Sequence, residues 1–212
     1  MSQYSTNPSR TIWREGTTIP EWAQVEYENA FPPKELQPWS SYLELLEDDP
    51  DSAELSWLEH SACIMERFSK PEIPGADGGL LMSYIFTGRE YRGNGSGSKL
   101  LAAVRRDNPN GFALETEAPG AKTTFDPMAD RRLAWYAREG GVVGPMVAGP
   151  IWNGEKWSAA EEWLAYNLVA FDCGPNFNFL RFYKGCLSSC YELPDDQVDA
   201  LMALIDSPAL MR

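Results

Sequence analysis

The chain has 212 residues, 43% of them apolar and 23% charged, and a net charge of −13. That length suits one sizeable core and is short for two, and no apolar run approaches the roughly 20 residues that cross a bilayer. The acidity argues against a nucleic-acid surface and favours cationic small molecules or basic peptides as partners. Residues 1–10 are polar with no hydrophobic segment, so the sequence reads as cytoplasmic, without a signal peptide. Residues 1–19 lack periodicity and suit an arm or a short first strand. Residues 19–30 pattern as a helix stopped by Phe31-Pro32-Pro33. A second helix is expected over 39–46, before the acidic loop at 47–51. Residues 55–68 read as two strands turning near His60-Ser61, with one continuous helix as the competing reading. Residues 71–77 form a loop.

The run from Gly79 to Phe86 is apolar and bounded by turn signals, which suits a buried strand. A glycine cluster follows, then a helix over 97–106 with Leu100, Leu101 and Val104 inward. Asp107-Asn108-Pro109-Asn110-Gly111 is a turn. Residues 112–117 form another strand. Asp126-Pro127 opens a helix as N-cap and N1 proline, and Gly140-Gly141 closes it. A further strand is expected over 142–148. Beyond Pro150 the chain is rich in aromatics, with helices expected over 158–170 and 197–205. No internal repeat is visible. The fold expected is a single α+β domain: a mixed central sheet with flanking helices over about 20–150, and a helical, aromatic-rich C-terminal extension over 151–212.

The four cysteines, Cys63, Cys173, Cys186 and Cys190, are too few and scattered for a disulfide framework and read as free thiols. With His60 as the one histidine there are too few ligands for a zinc site, so no metal is expected, and His60 reads as a turn residue. Its neighbour Ser61 does not make a catalytic triad.

Between Arg89 and Arg106 the charge reverses: Arg89, Arg92, Lys99, Arg105 and Arg106 stand against Glu90 alone. Gly93, Gly95 and Gly97 alternate where the buried strand ends and the helix begins. Glycines there let successive backbone N–H groups approach an anion, and the helix N-terminus adds partial positive charge. This points to a pyrophosphate site, and a Gly/Ser linker would not sit between two core elements. The Walker A spacing fails, because counting from Gly93 gives Ser98-Lys99-Leu100. The dinucleotide fingerprint fits partly, as Gly93-x-Gly95-x-x-Ser98 with Glu115 about 20 residues on, which keeps a nicotinamide-dependent oxidoreductase as an alternative.

The stretch Tyr91-Arg92-Gly93-Asn94-Gly95-Ser96-Gly97-Ser98-Lys99-Leu100-Leu101 resembles the pyrophosphate motif of the GNAT N-acetyltransferases, preceded by its buried strand. The resemblance continues through Leu114-Glu115-Thr116-Glu117. It reaches Arg131-Arg132-Leu133-Ala134-Trp135-Tyr136-Ala137-Arg138-Glu139-Gly140-Gly141, which looks like the family's Ala-x-x-Phe-Tyr-x-x-x-Gly-Phe helix. It covers about 79–145. Ala118-Pro119-Gly120 stands where members often carry an asparagine against the pantetheine arm.

The resemblance implies a GNAT-like sheet, acetyl-CoA as co-substrate, and transfer of the acetyl group to a primary amine of a small molecule or peptide by direct attack in a ternary complex. It implies cofactor contacts at Ile85, Phe86, Thr87, Arg92, Gly93, Asn94, Gly95, Ser96, Gly97 and Ser98, with an oxyanion-binding N–H near Ile85 or Phe86. Tyr136 matches the tyrosine that protonates the leaving sulfur, and helix periodicity alone would make it a core aromatic. Glu115 and Glu117, at i and i+2, share a strand face. There they could raise each other's pKa and take a proton, or decorate a solvent-facing edge. A non-catalytic acetyl-CoA-binding module is the runner-up. The acceptor is expected to be a cationic amine; neither nucleic acid nor membrane is an expected partner.

Overall fold

A computed structural model describes residues 9–14, 16–69, 77–121, 128–160, 162–205 and 210. In chain order the elements are β1 (Thr11–Ile12), α1 (Glu21–Ala30), α2 (Trp39–Asp48), β2 (Ala53–Leu58), β3 (Ser61–Phe68), β4 (Gly79–Thr87), α3 (Ser96–Asp107), β5 (Phe112–Glu117), α4 (Ala129–Arg138), β6 (Val142–Gly149), β7 (Ile151–Trp152), β8 (Trp157–Ser158), β9 (Leu164–Phe171), α5 (Phe179–Ser189) and α6 (Asp195–Met202). Among the described residues no helix is long and apolar enough to cross a membrane.

The main sheet runs β1-β2-β3-β4-β5-β9-β6, and every pairing is antiparallel except β4–β5. A doubly wound dinucleotide fold needs a mostly parallel sheet, so the oxidoreductase alternative falls here. Period-2 alternation divides the buried side chains between two faces. One face carries α3 and α4: Met65, Met82, Leu114 and Phe171 pack with Leu100, Leu101, Val104 and Tyr136. The other carries two helix pairs. Leu55, Ile64 and Tyr84 meet α1 and α2, whereas Ala113, Leu168 and Ala170 meet α5 and α6.

Several expectations hold. The helices at 19–30 and 39–46 are α1 and α2, and residues 55–68 are the strands β2 and β3, with Glu59-His60 in the turn between them. The strands at 79–86, 112–117 and 142–148 are β4, β5 and β6. The Asp126-Pro127 helix start lies outside the described residues, but Gly140, at φ +91°, does follow α4 as a left-handed residue. All four cysteines are free thiols, with Cys63 and Cys186 buried.

The C-terminal third differs from expectation. Residues 158–170 are not a helix: β9 enters the sheet between β5 and β6, so the main sheet runs past residue 150. Leu168 and Ala170 are buried on one face while Val169 and Phe171 are buried on the other. A strand covered on both faces is an unbroken apolar run, which periodicity cannot separate from a buried helix. The helix in this region is α5, where the side chain of Asn178 accepts hydrogen bonds from the N–H groups of Leu180 and Arg181 as an N-cap.

Candidate functional site

The site begins where the sheet comes apart. β4 and β5 pair only at Leu81–Ala113 and Met82–Leu114. The β3–β4 register shifts between Ile64, paired with Tyr84, and Met65, paired with Met82, so Ser83 is an extra residue, a β-bulge. Past the bulge, residues 83–87 have no ladder partner on the β5 side, and their edge faces a cleft of about 1640 Å³. Ser83, Tyr84, Ile85, Phe86, Thr87, Glu115 and Glu117 line it.

One end of the cleft is the glycine loop. After a 3-10 turn at Arg89–Tyr91, Gly93 and Gly95 adopt φ of +85° and +82°, and Gly95 is the residue from which α3 starts. A Cβ at either glycine would meet nothing within 4 Å, so the loop fronts open space and the glycines are there for their left-handed backbone. The first N–H groups of a helix have no intrahelical acceptors, and Ser96, Gly97 and Ser98 occupy that turn beside the cleft. The backbone here fits an anion such as a pyrophosphate. Arg92, Gly93, Gly95, Ser96, Gly97 and Ser98 all line the cleft, while Asn94 sits in the loop outside the lining.

The basic residues expected to serve this loop are largely engaged elsewhere. Lys99 pairs with Glu59 at 2.8 Å, Arg105 with Asp172 at 2.7 Å, and Arg106 with Asp107 at 3.0 Å. Sequence reasoning missed the positive charge supplied by α4, whose Arg131, Trp135 and Arg138 line the cleft at i, i+4 and i+7. That spacing was the available signal. Trp135 Nε1 donates to Ser98 Oγ at 3.1 Å, and Ser98 Oγ donates to Glu139 at 2.6 Å, which ties α4 to the start of α3.

Tyr136 reaches the cleft from the α3/α4 face. Its ring is 4% exposed, lies 4.8 Å from that of Trp135 and 6.3 Å from that of Phe171, and burial pushes its hydroxyl up to about 12. Glu115 and Glu117 share one face of β5, as their i, i+2 spacing requires, and it is the face of Ala113, opposite that of Leu114 and Tyr136. They do not share a charge environment. Glu117, 5% exposed, pairs with Arg132 at 3.6 Å. Glu115 is raised to about 7 by burial, against hydrogen bonds from Tyr191 and Tyr183, and the carboxylate that adds to the rise is Glu66 of β3. The carboxylate that raises Glu115 is thus Glu66 rather than Glu117, which has Arg132 beside it. Glu66 is itself raised to about 7 by burial while accepting hydrogen bonds from Ser83 and Tyr42. Among the described residues, Glu115 Oε1 is a buried oxygen with no hydrogen-bond partner.

His60 is a turn residue, stacked on Tyr91 with ring centroids 3.4 Å apart.

No family model matches the sequence, and no curated protein sequence matches it. Solved structures do match. A protein from Bacteroides thetaiotaomicron assigned to the GNAT family of acetyltransferases superposes with a TM-score of 0.61 at 17% identity, over 80% of this chain and 90% of that one. A ribosomal-protein-alanine N-acetyltransferase from Brucella melitensis gives 0.47 at 13% identity, over 71% and 90%. An aminoglycoside 6′-N-acetyltransferase with bound coenzyme A gives 0.48 at 11%, over 80% and 99%. At these identities the likeness is one of architecture, and the first of them carries it: this chain has the GNAT fold.

Proposed function

We propose that the chain is an acetyl-CoA-dependent N-acetyltransferase acting on a primary amine. The observation that carries this is the opening between β4 and β5, which starts at Met82–Leu114 and leads to a glycine cradle at the N-terminus of a helix. A long, thin ligand with a pyrophosphate in its middle suits both features. Acetyl-CoA supplies a thioester, whose carbonyl carbon is open to attack by a neutral amine. The free edge at residues 83–87 offers N–H and C=O groups to the pantetheine arm, and an N–H near Ile85 or Phe86 holds the developing oxyanion. Ser96, Gly97, Ser98 and Arg92 hold the pyrophosphate, with Arg131 and Arg138 adding charge beside it.

Glu115 and Tyr136 approach the opening from opposite faces of the sheet, an arrangement that suits a base and an acid on either side of one reacting carbon. Glu115 takes a proton from the ammonium, directly or through water. The amine nitrogen bonds to the carbonyl carbon, the carbon–sulfur bond breaks, and the thiolate takes the proton of the Tyr136 hydroxyl, while the second proton of the nitrogen is lost through solvent, which returns one to the tyrosinate. Glu117 pairs with Arg132 at the end of β5, in the wall of the cleft. The acetyl acceptor attacks directly in a ternary complex, which needs no covalent enzyme intermediate. Cys63 and Cys186 are unsuited to a nucleophile's role, since burial raises both well above their ordinary range.

Calorimetric titration with coenzyme A, followed by thiol release from acetyl-CoA over a panel of primary amines, tests the proposal. Saturable binding and amine-dependent thiol release are expected. Binding that is equally tight for pantetheine without its nucleotide pyrophosphate would reject the cradle, and binding without turnover on any amine would favour a non-catalytic module.

A further inference from the structure

Three asparagine–glycine pairs stand in the sequence, Asn94-Gly95, Asn110-Gly111 and Asn153-Gly154. In such a pair the next backbone nitrogen can attack the asparagine amide, because glycine has no Cβ to crowd the ring that forms. All three asparagines are exposed, so exposure does not separate them. The fold does.

At Asn110-Gly111 the nucleophile is held. The Gly111 N–H donates to the carbonyl of Asn108 at 2.9 Å, and a Cβ at Gly111 would lie 2.5 Å from the carbonyl oxygen of Phe171 and the nitrogen of Cys173. At Asn153-Gly154 the amide is held. Asn153 Oδ1 accepts from the N–H groups of Glu155 and Lys156 at 3.1 and 3.0 Å, and ring closure has to break both bonds. Asn94-Gly95 has neither restraint: among the described residues no hydrogen bond engages the Asn94 side chain or the Gly95 N–H. A Cβ at Gly95 would meet nothing within 4 Å, so the approach is open. Gly95 is also the N-cap of α3, a helix of 12 residues, and the positive end of a helix makes an amide N–H there more acidic.

We infer that Asn94 is a self-modification site, which deamidates when the glycine cradle is empty and thereby disables it. The Gly95 nitrogen bonds to Asn94 Cγ, the Cγ–Nδ2 bond breaks, and ammonia leaves with the proton of the Gly95 N–H. Water then opens the cyclic imide at either carbonyl. One opening gives aspartate; the other gives isoaspartate, with the chain continued through the former side chain. Each product sets a carboxylate between Gly93 and Gly95, and isoaspartate also adds a methylene to the backbone just before α3. A pyrophosphate seated on the loop engages its N–H groups and makes them harder to deprotonate, so the occupied site is protected. The field that draws the anion therefore wears out the empty site. Coenzyme A as the protecting ligand rests on the acetyl-transfer reading above, whereas the lability of Asn94 does not.

Full-length protein should be held at mildly alkaline pH and body temperature, alone and with coenzyme A at about ten times its Kd, with samples withdrawn over days. Peptide mass spectrometry reads amide-to-acid conversion at each pair, enzymatic carboxyl methylation reads isoaspartate, and calorimetry reads the remaining coenzyme A sites. Asn94 should convert at least about fivefold faster than Asn110 or Asn153, the factor that one net hydrogen bond is worth. Binding capacity should fall in step with that conversion while circular dichroism is unchanged. Coenzyme A should slow Asn94 about tenfold, in proportion to the free fraction, and leave Asn153 as it was. In Asn94→Gln, where the ring would need another member, capacity should hold over the same interval whatever its starting affinity. Conversion of Asn110 or Asn153 as fast as Asn94, full binding by the converted protein, or an equal decay of capacity in Asn94→Gln would each overturn the inference. Fresh protein that binds no coenzyme A would sink the acetyl-transfer reading instead, and the order of conversion among the three pairs would still decide the site.

Discussion

Removing the hydroxyl of Tyr136 separates the two roles that its side chain can play. The ring sits among Trp135, Leu133 and Phe171, so Tyr136→Phe keeps the packing and should change stability by about 1 kcal/mol or less. Loss of the proton donor should lower kcat by about 10- to 1000-fold with little change in acetyl-CoA affinity. Measuring kcat and Tm on one preparation decides it, and full activity would remove Tyr136 from the mechanism. Glu115 makes a companion prediction. A base must be ionised to work, and this carboxyl titrates near 7, so kcat/KM for the amine should rise with pH through an apparent pKa of about 7. Glu115→Gln should abolish that limb, and a limb that survives the substitution points to another base. The placing of Glu115 and Glu117 on one strand face was legible from their spacing. Their inequality was not, because it depends on Glu66 and Arg132, which are 49 and 15 residues away from them in sequence and meet them only through the sheet and the cleft.

Among the elements, the unit β4, glycine loop and α3 was legible because each of its signals is local: an apolar run, three alternating glycines and an amphipathic helix ended by a turn. The left-handed φ of Gly95 makes the unit testable. Gly95→Asp places a carboxylate in front of the first turn of α3, where the pyrophosphate is proposed to sit. It also imposes a strained φ of +82°, at a cost of about 1–2 kcal/mol. Coenzyme A binding should be lost, while circular dichroism and a cooperative, slightly lowered Tm show the domain still folded. Wild-type affinity in the variant would remove the cradle from the site. The opening between β4 and β5 could not be read this way. Nothing in residues 112–117 says that their pairing with β4 stops after two residues, and the bulge at Ser83 is visible only against the register of β3. The misreading of β9 has the same origin, since its neighbours β5 and β6 are supplied by distant chain.

On the scale of the whole molecule, the face opposite α3 and α4 carries two separate cores, one under α1 and α2 and one under α5 and α6. Glu66 and Glu115 lie on that face, on β3 and β5, with Ser83 on the strand between them. Tyr42 reaches Glu66 from α2, and Tyr183 of α5 and the following Tyr191 reach Glu115. As the proposed base Glu115 must be ionised, and burial opposes ionisation of both carboxyls, so the seam beside the site should weaken the fold as pH rises. The ordinary carboxyl value is 4.5, and each of these two is raised to about 7 in the folded protein. A raised pKa contributes stability that is fully present below 4.5 and is lost as pH rises through about 7. The penalty per carboxyl is on the order of 1–3 kcal/mol above that range. Glu66→Gln removes one of the two titrations without adding charge, and it leaves the lining of the cleft intact. The wild-type Tm should fall between pH 5 and pH 8 from this source, and the fall should be smaller in Glu66→Gln. Relief of the Glu66 charge should at the same time move the pH–rate limb assigned to Glu115 toward lower pH, which a purely structural residue would not do. Thermal melts at both pH values, with the pH profile of kcat/KM on the same two proteins, decide the matter. Parallel Tm shifts and superimposable pH profiles would mean that the two carboxyls do not sense each other across the seam.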